Sequence, residues 1–182
     1  MKGLFTIGLG VTLLAASVSS RIAPHREPPA QKSSALSQSP PAIALTKADD
    51  VAKIRKQAHG QVLVINFWAT WCHGCVAEFP EFVVLDDHYR AKGVKVVGIS
   101  FDKPTDIDSK VRPFISKSKA RFDILVPDMD DPQPIVDAVT NQWTGEMPAT
   151  FIFDKQGKLV YEHFGVIDGA EVAAKVESLL KG

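Results

Sequence analysis

The segment Gln61-Val-Leu-Val-Ile-Asn-Phe-Trp68 is an unbroken β-branched and aromatic run, and only Ala69, Thr70 and Trp71 separate it from Cys72-His73-Gly74-Cys75. A run that is apolar on both sides of the pleat belongs to a strand in the middle of a sheet, covered on both faces. From Val76 to Ala91 the periodicity is helical, with Pro80 in the early part, where a kink is expected, and Gly93 beyond the end. The cysteines therefore mark the point where a buried strand gives way to a helix. That junction constrains the layering of the fold and locates its chemistry.

A disulfide between residues three apart closes too small a loop to restrict the unfolded chain much, so crosslinking is a poor reason for this pair. At a helix N-terminus the unpaired N–H groups and the positive end of the dipole favour thiolate over thiol. Cys72 is thus expected to attack, and Cys75, one turn further along, to resolve the mixed disulfide that forms. His73 can add positive charge beside Cys72 when protonated, or simply point into water. Trp71 is expected to cover the site.

Met1-Lys2, the apolar stretch Leu4 to Val18 and Ser19-Ser20 follow the plan of a secretory signal over residues 1–20, with a cut before Arg21. The alternative is an uncleaved anchor, for which the run is short of the ~20 residues a spanning helix needs. Residues 21–41, rich in proline, serine, alanine and glutamine, read as a flexible linker, leaving one domain over 42–182. Lys plus Arg and Asp plus Glu balance at 21 each, so there is no basic field to attract nucleic acid. Membrane contact is left to an uncleaved N-terminal segment.

Within the domain, Ile43 to Leu45 reads as a short strand and Thr46 as the cap of a helix through Ala58, stopped by Gly60. Lys95 to Phe101 is a second buried strand. Ser109 to Ser118 and Ile135 to Gln142 read as helices around a strand at Phe122 to Val126. Thr150 to Asp154 and Leu159 to Phe164 form a hairpin, and Asp168 with Glu171 opens a final helix to Leu180. This is an α/β arrangement around one mixed sheet.

Phe67-Trp-Ala-Thr-Trp-Cys-His-Gly-Cys75, Glu78-Phe79-Pro80 and Met147-Pro-Ala-Thr-Phe151 together resemble the thioredoxin superfamily, and within it the TlpA/ResA-like exported thiol-disulfide oxidoreductases. The resemblance covers about Ile43 to Leu180. It implies a thioredoxin fold, with a central mixed β-sheet flanked by helices and a short helix/strand insertion before the strand that begins with a cis-proline. Pro148 is implied to be that cis-proline, facing the cysteines, and Met147 to offer its backbone to an extended substrate segment. Thioredoxins carry a buried aspartate six residues before the first cysteine, where this chain has Asn66. In the TlpA/ResA-like group a glutamate three residues after the second cysteine takes that role, and Glu78 matches it. Partly buried near the Cys75 sulfur, it would have a raised pKa and accept that thiol's proton. The plainer reading of Glu78 is a charge favoured by the dipole near a helix start. Gly74 departs from the proline common at its position, and the N-terminal β-hairpin typical of the group is not evident.

The implied activity is exchange of the Cys72–Cys75 dithiol/disulfide with protein substrates in the periplasm or another extracytoplasmic space. The implied direction is reduction, for example in cytochrome c maturation or copper-site assembly, with an upstream membrane electron-donor protein. No cofactor beyond the redox-active disulfide and no metal is expected. The alternative is Cu(I) binding or delivery, for which Cys72, Cys75, His73 and Met147 are soft ligands. A peroxidase of the peroxiredoxin group would want threonine three residues before its reactive cysteine, where Ala69 stands and Thr70 is one place off. His25, His59, His88 and His163 read as surface residues, Trp143 as core, and Asp128 to Asp131 as a solvated turn.

Overall fold

Strand β2 (Val62–Trp68) is buried along its whole length. Leu63, Ile65 and Phe67 enter one core with Val97, Ile99 and Phe151, while Val62, Val64 and Trp68 enter another with Val96, Ile124 and Ile152. Both faces are covered, which is why the run, Asn66 apart, is apolar and does not alternate. The computed structural model describes residues 41–128 and 130–182. The expected signal segment and all but the last residue of the expected linker lie outside them.

Around β2 the chain forms β1 (Ile43–Thr46), β3 (Val94–Ser100), β4 (Asp123–Pro127), β5 (Ala149–Phe153) and β6 (Leu159–Phe164), in the sheet order β1-β4-β3-β2-β5-β6. The first four strands in that order run parallel, and β5 and β6 are antiparallel additions. Helices α1 (Ala48–Gln57) and α4 (Gln133–Asp137) cover one face, and α2 (His73–Tyr89), α3 (Arg112–Ser118) and α5 (Gly169–Lys181) the other. The stretch α3-β4-α4 lies between β3 and the strand that follows Pro148, so the expected insertion is present. Among the described residues no helix is long and apolar enough to cross a membrane.

Several element boundaries differ from the sequence expectation, three of them with a clear local cause. Thr46 is not a helix cap: it is the buried last residue of β1, in register with Pro127, and Lys47 takes the cap position, its amide donating to Asp50 at 3.2 Å. Helix α2 starts at His73, three residues before Val76, because the Cys72 sulfur accepts the Cys75 amide at 3.2 Å and so caps the first turn. It then continues through Pro80 to Tyr89. Helix α4 spans Gln133–Asp137 and does not reach Gln142, whose amide donates to the Thr140 hydroxyl as the chain turns away. Trp143, half-buried, packs edge-on to Phe67 with ring centroids 5.4 Å apart, at the edge of the core.

Trp68 and Phe79, with ring centroids 4.7 Å apart, lock α2 onto the sheet. Gly98 on β3 leaves room for that indole: a Cβ there would lie 2.9 Å from both Trp68 Nε1 and Ile124 Cδ1. Gly98→Ala is expected to cost about 1–3 kcal/mol by overpacking. The check is a lower urea midpoint at an unchanged m-value. Wild-type stability would contradict the close approach.

Candidate active site

The loop between β2 and α2 is fixed from its neighbour strand. Phe101 N donates to the Trp68 carbonyl at 2.8 Å. The buried Asp102 carboxylate accepts from Thr70 N at 2.8 Å, Thr70 Oγ1 at 2.5 Å and Ser100 Oγ at 2.7 Å. Asp102 directly follows the strand expected at Lys95 to Phe101, and its sequence context alone assigned it no role. The available signal was a serine and an acid closing an otherwise apolar run.

Cys72 and Cys75 form a disulfide with their Cα atoms 5.2 Å apart. Cys72 keeps 8% exposure and Cys75 none, so the first sulfur lies nearer the surface. Large apolar side chains close to the pair are exposed: Trp71 and Val76 flank it in the chain, and Val166 meets Gly74 between the cysteines. Trp71, expected to cover the site, is 65% exposed. His73 is exposed. Gly74 is the point of closest approach: a Cβ there would lie 3.0 Å from Val166 Cγ2 and 3.3 Å from Pro148 Cδ. Pro148 is buried and joined to Met147 by a cis peptide bond. Among the described residues, the Met147 amide and carbonyl make no backbone hydrogen bond.

Glu78 lies one turn past Cys75 on the buried side of α2, 3% exposed. Its Oε1 accepts from Asn66 Nδ2 at 3.0 Å and its Oε2 from the Ile167 amide at 2.9 Å. Asn66 also donates to the Ala149 carbonyl at 3.4 Å. Burial pushes the Glu78 carboxyl up to about 7, against the pull of the two hydrogen bonds and the nearby His163. It is therefore not a solvated charge at a helix start. The sequence showed Asn66 only as the residue standing where thioredoxins carry an aspartate, and nothing in it marked Ile167.

The other expected residues divide. His59 and His88 are exposed as expected, and His25 lies outside the described residues. His163 departs from its surface reading: it is half-buried on β6, with Nε2 3.2 Å from the Val166 carbonyl oxygen. Asp128, Asp130 and Asp131 are exposed. Among the described residues, no three His, Cys, Asp or Glu side chains converge as a metal site.

The AhpC/TSA family model matches residues 37–162. The chain belongs to the AhpC/TSA family. It is 31% identical over 126 residues to the thiol-disulfide oxidoreductase ResA of Bacillus thuringiensis, a match covering 69% of this chain and 65% of that protein. It is 29% identical over 122 residues to the thioredoxin-like protein YneN of Bacillus subtilis, covering 67% of each. A thioredoxin-family thiol:disulfide interchange protein from Chlorobium tepidum superposes with a TM-score of 0.59 at 22% identity, over 69% of this chain and 83% of that one. The six-stranded mixed sheet with its flanking helices is thus the thioredoxin fold, and the resemblance to the ResA-like group stands.

Because Glu78 binds a proton more readily in the folded protein than at its ordinary 4.5, its contribution to stability is fully present below that value and is lost as pH rises through about 7. Glu78→Gln is expected to remove this loss, a difference on the order of 3 kcal/mol between acidic and mildly alkaline buffer. Urea unfolding of the oxidised protein at both pH values checks it. Parallel pH dependence in the two proteins would contradict a raised Glu78.

Proposed function

We propose that this chain is a thiol-disulfide oxidoreductase that exchanges its Cys72–Cys75 pair with protein substrates. The observation that carries the reading is the pairing of a rim-side Cys72, whose sulfur caps α2, with a fully buried Cys75 one turn before the buried Glu78. In the dithiol state the amides and dipole at the start of α2 favour a Cys72 thiolate. That thiolate attacks a substrate disulfide, forming one S–S bond as the substrate's own breaks and its far sulfur leaves. Cys75 then gives its proton to Glu78 and attacks the Cys72 sulfur, which releases the second substrate thiol. Two electrons pass from the cysteine pair to the substrate, and the internal disulfide remains.

Trp71, Val76 and Val166 offer apolar contact to an extended client segment, and the unpaired Met147 backbone offers it strand-like hydrogen bonds. Reduction as the physiological direction, an upstream membrane electron donor, and clients in cytochrome c maturation or copper-site assembly follow from the ResA-like resemblance. An extracytoplasmic location follows from the signal-like residues 1–20. Copper delivery through the same sulfurs gains no support beyond ligand softness. The peroxidase reading is weakened further by Thr70, whose hydroxyl is committed to Asp102.

The test is the reduction potential of the pair in a dithiothreitol or glutathione buffer. A value near the ~−270 mV of thioredoxin is expected, a value near ~−120 mV would overturn the reducing direction, and failure to cycle at all would overturn the function. Cys75→Ser is expected to accumulate a mixed disulfide through Cys72, seen on non-reducing gels, and Cys72→Ser is not.

A further inference from the structure

His163 and Glu78 sit at opposite ends of one peptide group. His163 Nε2 lies 3.2 Å from the Val166 carbonyl oxygen. A carbonyl only accepts, so this ring nitrogen carries the hydrogen. The amide of Ile167 belongs to the same peptide unit and donates to Glu78 Oε2 at 2.9 Å. The path therefore runs from ring N–H to carbonyl, and from the amide of that unit to the carboxylate. Donation into the carbonyl polarises the unit and strengthens its N–H as a donor; the His163–Val166 end of the path is exposed and the Ile167–Glu78 end is buried.

The surroundings hold this path in place. His163 is in register with Thr150, which is in register with Asn66, so all three occupy one row across the sheet. Tyr161 stacks on the imidazole at an interplanar angle of 10°, and its hydroxyl donates to Glu171 at 3.3 Å. Gly165, whose φ of 96° suits glycine, donates its amide to the Pro148 carbonyl at 2.8 Å and fixes the start of the loop.

We propose that His163 is a positioning residue for Glu78, acting through the peptide group that joins Val166 to Ile167. This rests on the reading of Glu78 as proton acceptor for Cys75. The titratable groups facing the carboxyl and its path are His163 on β6, whose charge acts on Glu78, and Tyr161 on β6, on which Glu78, Asp168 and Glu171 all act, with Cys75 one turn before Glu78 on α2. Among them His163 is the one that becomes a cation, and its field favours the Glu78 carboxylate, in the same direction as the peptide path.

The experiment is a carboxyl ¹³C NMR titration of Glu78 in the oxidised full-length chain, with the resonance assigned by its loss in Glu78→Gln. His163→Ala removes donor and charge and is expected to raise the Glu78 midpoint by about half a pH unit, a threefold gain in proton affinity. His163→Gln keeps a neutral N–H near the carbonyl and is expected to recover at least half of that shift. An unchanged midpoint in His163→Ala overturns the proposal. Equal shifts in the two variants also overturn it, because the ring would then act by charge alone. Dithiothreitol-driven cycling of the same samples keeps the two readings apart: a wild-type chain that does not cycle sinks the oxidoreductase function, whereas the NMR midpoints decide the role of His163.

Discussion

A carboxylate taken out of water costs several kcal/mol unless its oxygens find donors. Glu78 meets this constraint with one donor from each side: Asn66 from the central strand and Ile167 from the loop that leads into α5. Three separate parts of the fold, α2, β2 and the loop 165–167, are joined at one side chain as a result. An apolar residue of similar volume would hold the helix to the sheet at least as well. Stability is therefore a poor reason for a buried acid in this place, whereas the proton transfer to and from Cys75 proposed above gives it one.

A second buried carboxylate works on the opposite flank. Asp102, at the end of β3, grips the backbone and hydroxyl of Thr70 and so fixes the turn that delivers Cys72 to the head of α2. Asp102 holds the entry to the helix and Glu78 holds its second turn. The sulfur pair between them is positioned by groups it does not itself touch in sequence, a supporting arrangement that a two-cysteine site needs if Cys75 is to stay inside while Cys72 meets a client.

What was legible in the sequence was what neighbouring residues decide among themselves. The strand-to-helix junction, the hairpin of β5 and β6 and the Asp168 cap, whose carboxylate accepts from Ala170 at 2.8 Å, each rest on a local pattern. The helix N-terminus is expected at Cys72, but the periodicity is legible only from Val76, because the cap of the first turn is a sulfur, outside the usual set of Ser, Thr, Asp and Asn. Thr46 has the chemistry of a cap but belongs to β1, where pairing with Pro127 buries it. The bonds that complete the site join Thr70 to Asp102, 32 residues away, and Glu78 to Ile167, 89 residues away. No local period encodes either. His163 looked like a surface residue because β6 is an edge strand, half-buried at every position, with no alternation to say which side chains turn inward.

Gly74 shows how these constraints meet at one atom. Proline is common at this position in the ResA-like group, and glycine at the start of a helix gives up backbone entropy that proline would not. Yet here the Pro148 ring and the Val166 side chain both close over residue 74, leaving less than ordinary contact distance for even a single Cβ. Val166 is brought there by the same short loop whose Ile167 amide holds Glu78 and whose Gly165 amide is tied to Pro148. A larger residue at 74 would push against that loop and so against the donor of the buried acid. The glycine is thus coupled to Glu78, the proposed proton acceptor, through Val166, and the flexibility it would otherwise lend to the cysteine turn is restrained by the loops packed on it.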